Sequence, residues 1–119
     1  MDSRLFSIKY ADKHAAALVF KQLQEVGSEL GVTACGLEKC KTGSRRIRTH
    51  FRIILSVKKE YAFDLPSKLK IIQRTLKDHP LYSYLSFDYC VVPISQTEWN
   101  FDSYEDPNYQ AVFVRKRSN

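Results

Sequence analysis

THFRIILSVKK, residues 49–59, sets the fold of this chain, because its side chains alternate along an extended backbone. In a strand, successive side chains point to opposite faces. Phe51, Ile53, Leu55 and Val57 therefore share one face, and Arg48, His50, Arg52, Ile54, Ser56 and Lys58 share the other. The first set belongs against helices, and the second belongs on a face open to solvent. The residues before it, KCKTGSRRIR (39–48), are polar and basic and contain Gly43, so they read as a loop or hairpin tip.

The same reasoning extends outward from this strand. LFSIKY (5–10) alternates and reads as a strand with Phe6, Ile8 and Tyr10 on one face. Asp12 then suits a helix N-cap. Ala15, Leu18, Val19, Leu23, Val26 and Leu30 follow at three- and four-residue intervals, which predicts an amphipathic helix ending near Gly31. VTACGLE (32–38) reads as a second strand. Asp64 would cap a second helix with Pro66 in its first turn, and Leu65, Leu69, Ile72 and Leu76 as its apolar stripe. Asp78-His79-Pro80 stops it. LSFDYCVVPI (85–94) reads as a strand, with Leu85, Phe87, Tyr89 and Val91 on one side. SQTEWNFDSYEDPN (95–108) reads as a polar loop, and QAVFVRKR (110–117) as a closing strand. The order β-α-β-β-α-β, with an extra C-terminal strand, predicts a ferredoxin-like α+β fold: an antiparallel sheet with two helices on one face.

The chain has 119 residues, which suits one domain over 1–119. Its composition is ordinary for a globular protein, at 44% apolar and 27% charged. The formal net charge is +6, and the excess is concentrated. Eight Lys and Arg stand from Lys39 to Lys59 with no acid among them. A cationic sheet face with a basic hairpin suits a phosphate backbone, so the expected partner is nucleic acid, DNA in preference to RNA. The expected contacts are Arg45, Arg46, Arg48, His50, Arg52 and Lys58, with Lys116 and Arg117 nearby. Tyr10, Tyr82, Tyr84 and Trp99 are candidates to stack on unpaired bases. The alternative is a solvated strand whose charges serve solubility.

Cys35, Cys40 and Cys90 form no disulfide framework and suit reduced thiols in an intracellular protein, in the cytoplasm or a host-cell nucleus. Cys90, in an apolar strand, reads as core. Cys35, Cys40 and His50 fall short of a zinc set, which needs a fourth ligand. The start of the chain lacks a signal-peptide core, and no apolar run approaches the roughly 20 residues that span a bilayer, so no membrane partner is expected. Glu98, Asp102, Glu105 and Asp106 read by default as a solvated loop; together with Trp99, Phe101, Tyr104 and Tyr109 they would instead suit a protein-binding surface.

GLEKCKTGSRRIRTHFRIIL (36–55) resembles the second motif of HUH-type rolling-circle replication initiators, which combine a strand Glu, a Gly-containing turn and His-hydrophobic-His in an aliphatic strand. Glu38, Gly43, His50-Phe51 and Ile53-Ile54-Leu55 carry the resemblance. LFSIKY takes the place of the family's first strand motif, and FVRK (113–116) that of its Tyr-x-x-Lys motif. The resemblance implies a tyrosine that attacks a DNA phosphorus, and a divalent metal, Mg or Mn, held by two histidines and the Glu. Here that set would be Glu38 and His50. Arg52 stands at the second histidine's place, and a guanidinium does not ligate metal. Phe113 stands at the tyrosine's place, which leaves Tyr109 as substitute nucleophile. The reading is a DNA-binding protein resembling these initiators, with incomplete catalytic motifs. Its alternatives are an active metal-dependent single-strand nickase using Tyr109, and a viral or plasmid-encoded interaction module that inhibits a host factor.

Overall fold

A computed structural model describes residues 3–42, 48–95 and 109–112. Its elements run β1 (Ser3–Tyr10), α1 (Lys13–Val26), β2 (Val32–Thr42), β3 (Arg48–Lys58), α2 (Lys59–Ala62), α3 (Leu65–Thr75), β4 (Tyr89–Ile94) and β5 (Tyr109–Val112). The sheet order is β4-β1-β3-β2-β5, and every neighbouring pair is antiparallel. β1 and β2, joined through α1, leave a slot that β3 fills. This split βαβ arrangement, with β4 on the outer side of β1, is the ferredoxin-like α+β fold. β5 is the extra strand, added beside β2.

Asp12 starts α1 as expected. Its Oδ1 accepts from the backbone N–H groups of His14 at 2.9 Å and Ala15 at 3.2 Å. Ala15, Ala16, Val19, Phe20 and Leu23 are buried on the sheet. Each fully buried Val, Leu or Phe contributes about 1.5–3 kcal/mol, so this face, rather than helix propensity, holds α1 in place. The α-helix stops at Val26, and Gly27–Leu30 tighten into a 3₁₀ turn that ends on Gly31. Gly31 has φ +79°, and a Cβ there would overlap the Tyr61 ring. Both the backbone angle and the close ring therefore require glycine.

The core lies between the sheet and the helices. Ile8 and Tyr10 of β1, Cys35 of β2, and Ile53, Leu55 and Val57 of β3 pack against α1 and against Leu65, Leu69 and Ile72 of α3. The odd-numbered face of β3 therefore meets the helices as read. Tyr10 is fully buried there, and its hydroxyl donates to Gln73 Oε1 at 2.7 Å. It is a core residue, not a base-stacking platform. Tyr82 is half-buried against Phe87, with ring centroids 4.7 Å apart, and Tyr84 is exposed. Trp99 lies outside the described residues.

Several element edges differ from the sequence reading; α2, for one, has no counterpart in it. β2 runs on through Thr42 and β3 starts at Arg48, so residues 39–42 and 48 of the expected loop lie in strands, and residues 43–47 lie outside the described residues. β4 starts at Tyr89, not Leu85. Asp64 makes no side-chain cap to α3, and its carboxylate lies 3.7 Å from Lys68 Nζ instead. Among the described residues, no helix is long and apolar enough to cross a membrane.

Candidate nucleic-acid interface

The sheet face turned away from the helices carries the even-numbered residues of β3. The ladder sets them in rows, because directly paired residues share a face. One row runs Cys90, Lys9, Arg52, Glu38 across β4, β1, β3 and β2, and the backbone of Tyr109 in β5 pairs opposite Glu38. His50 lies two residues from Arg52 along β3, toward the basic hairpin. The next rows on the other side are Val92, Ser7, Ile54, Gly36 and then Ile94, Leu5, Ser56, Ala34.

The expectation that this whole face is open needs correction. Ile54 is fully buried, and Ser7, Leu5 and Ala34 are only 3%, 4% and 5% exposed, although the helices pack on the opposite face. Near the hairpin end Lys9 is exposed and His50 and Arg52 are partly exposed. Lys58 stands at the far end of β3, eight residues from His50, or about 26 Å along a strand. The structure does not bring it to the same place. Arg48 pairs opposite Thr42 at the hairpin end. Arg45, Arg46, Lys116 and Arg117 lie outside the described residues.

Arg52 is not a lone cation. Its Nη2 lies 2.8 Å from Glu38 Oε1, and its Nε donates to the same oxygen at 3.0 Å. The side chains are 28% and 15% exposed, so the pair is partly withdrawn from water. Glu38, an expected metal ligand, is thus engaged by Arg52. His50 shares their face. Partial burial lowers its pKa below the usual histidine value, the charges of Lys9 and Arg52 lower it further, and Glu38 opposes them. The neutral imidazole is thereby favoured. Among the described residues, no three His, Cys, Asp or Glu side chains come together as a metal-binding group.

Sequence reasoning missed Lys9. Its signal was present in LFSIKY, where Leu5, Ser7 and Lys9 alternate with the core residues, but only the β1–β3 register sets it beside Arg52. Cys90, expected in the core, is exposed on the helix-free face, whereas Cys35 is buried and its thiol is pushed up to about 12 by burial. Cys35 therefore stays protonated at neutral pH and is not a reactive thiol. At the same end of the sheet an open cleft of about 460 Å³ lies between β1, β3 and the start of β4, with Lys9, His50 and Cys90 among its walls.

No family model, no curated protein and no solved structure matches this chain.

Proposed function

We propose that this chain is a nucleic-acid-binding domain, for DNA in preference to RNA, whose contact surface is the hairpin end of the helix-free sheet face. One observation carries the reading. Lys9, which stands far from the basic run in sequence, pairs opposite Arg52 and joins His50 on the face and at the end from which the basic hairpin leaves. Two distant segments thus supply cations to one surface, as a phosphate path requires. Arg45, Arg46 and Arg48 extend that path in sequence. Fluorescence anisotropy with labelled single- and double-stranded DNA and RNA, titrated with salt, tests it. Affinity should fall steeply with salt, and Lys9→Ala should weaken binding and reduce the log–log slope by about one. Absent binding at low salt, or a Lys9→Ala protein identical to the parent, would overturn the proposal.

A second reading has its own supporting observation. The backbone register sets Tyr109 opposite Glu38, in the row that holds Arg52. A nickase would use the Tyr109 hydroxyl as nucleophile on a DNA phosphorus, with Mg or Mn at Glu38 and His50. A covalent protein–DNA adduct that forms with Mn²⁺ and disappears in Tyr109→Phe would establish it. For this reading Glu38 must leave Arg52, which the first reading does not require.

A further inference from the structure

The cleft beside this surface has walls unlike those of a plain phosphate track. Its lining brings together Lys9 of β1, His50 of β3, and Asp88 and Tyr89 where β4 begins. Among the described residues, no ion pair joins Asp88 to Lys9, so neither charge neutralises the other. A phosphate alone would meet Lys9 and be repelled by Asp88. A metal cation would be drawn to Asp88 and repelled by Lys9 and Arg52. A ligand that carries both an anionic group and a hydrogen-bond donor edge satisfies both walls. A nucleotide is such a ligand, and about 460 Å³ falls within the range of small-molecule clefts.

The donor edge narrows the choice of base. An ionised carboxylate only accepts, through two oxygens side by side. Guanine presents N1–H and N2–H side by side, which matches two oxygens with two donors. Adenine and cytosine offer an amino group next to a ring nitrogen that repels one oxygen. Thymine and uracil place N3–H between two carbonyl oxygens. These edges are used up in a base-paired duplex, so the base must be unpaired to enter. We propose that the cleft seats one unpaired guanine nucleotide of a nucleic-acid strand, with its phosphate toward Lys9 and its N1–H and N2–H donating to the Asp88 carboxylate. This rests on the nucleic-acid reading and adds a preference that the basic surface alone does not supply.

The test uses the full chain and single-stranded thymidine oligonucleotides that carry one central guanosine, inosine, cytidine or adenosine. The guanosine strand should bind about tenfold more tightly than the all-thymidine strand, the usual discrimination of a good bidentate pair. Inosine, which lacks the N2 amino group, should lose most of that gain. Asp88→Ala and Asp88→Asn should abolish the preference while raising affinity for the all-thymidine strand, because each removes a carboxylate that repels phosphate beside Lys9. Asp88 is exposed, so neither change threatens folding. The guanosine strand should also slow alkylation of the exposed Cys90 thiol, followed by peptide mass spectrometry. Binding without base preference, a preference that survives Asp88→Ala, or a Cys90 unaffected by bound strand would overturn this inference alone. Failure of every strand to bind at low salt would overturn the nucleic-acid reading with it.

Discussion

Replacing Glu38 by glutamine should make the protein less stable and a better ligand for nucleic acid at the same time. The side chain keeps its shape, and one negative charge leaves the row that holds Lys9 and Arg52. The ion pair it breaks is short, at 2.8 Å, and its members are 28% and 15% exposed. Fully exposed pairs contribute about 0–1 kcal/mol, and removing one partner of a buried pair costs about 3–5 kcal/mol. A half-withdrawn pair falls between, at about 1–2 kcal/mol. With a urea m-value of about 2 kcal/mol/M, the unfolding midpoint drops by roughly 0.5–1 M. Circular dichroism in a urea series reads that shift.

Binding should move the other way. A carboxylate on the phosphate path cancels about one cation, so its removal steepens the log affinity against log salt slope by about 0.9. At about 0.1 M salt, one further phosphate contact is then equivalent to about an eightfold gain in affinity. The double variant Glu38→Gln, Arg52→Gln should recover much of the stability and lose the gain in binding. Opposed signs in one variant are diagnostic, because a merely damaged fold would lower both quantities. Unchanged stability would show that the pair contributes nothing. Reduced affinity, or an unchanged slope, would show that this row does not face phosphate. A nickase that holds metal through Glu38 predicts instead that Glu38→Gln loses all Mn²⁺-dependent cleavage.

Two further outcomes test the frame that positions this surface. Asp12 caps α1 through Oδ1 and accepts from Ser86 N–H through Oδ2 at 3.0 Å, so Asp12→Ala should cost about 1–2 kcal/mol and raise hydrogen exchange at His14, Ala15 and Ser86. Slight burial alone would raise the Asp12 pKa, but these backbone donors outweigh it and the pKa is lowered. Its contribution is therefore present above the unfolded aspartate value near 4 and fades as pH falls through the lower folded value, a slope that Asp12→Asn should remove. Gly31→Ala should cost about 2 kcal/mol or more in thermal or urea unfolding, from a left-handed backbone angle and overlap with Tyr61 together, and Tyr61→Ala in that background should recover only the overlap.

The alternation of 49–59, the cap at Asp12 and the helix stripes were legible because each is a local pattern. The start of β4 was not. Leu85, Phe87, Tyr89 and Val91 all pack against the core, so the apolar alternation is real. A ladder needs a partner as well, and β1 ends at Tyr10, whose opposite residue is Tyr89. Residues before Tyr89 have no strand beside them, and the Ser86 N–H goes to the Asp12 carboxylate instead. The hairpin departs from its local sequence in the opposite sense. Lys39, Lys41 and Thr42 look like loop residues, yet β3 opposite them extends the ladder to Thr42 and Arg48. Local preference yields to an available partner.

The site shows the same limit with greater consequence. Alternation tells which side chains share a face, and it does not tell which part of that face meets water. Glu38 and Arg52 are fourteen residues apart and became one ion pair only through register. Leu5, Ser7, Ala34 and Ile54 share the face with the cations, and all four are closed to solvent. A phosphate path therefore cannot run down the length of the sheet to Lys58. It must be short, turning off the sheet at Lys9 and His50 toward the basic hairpin. With Lys9, Arg45, Arg46, Arg48 and the partly neutralised Arg52 as its cations, the salt slope on duplex DNA should stay near four in magnitude, at about 0.9 per cation. Lys58→Ala should leave that slope unchanged, and a slope reduced by about one would put the distal end of β3 on the path and refute this course.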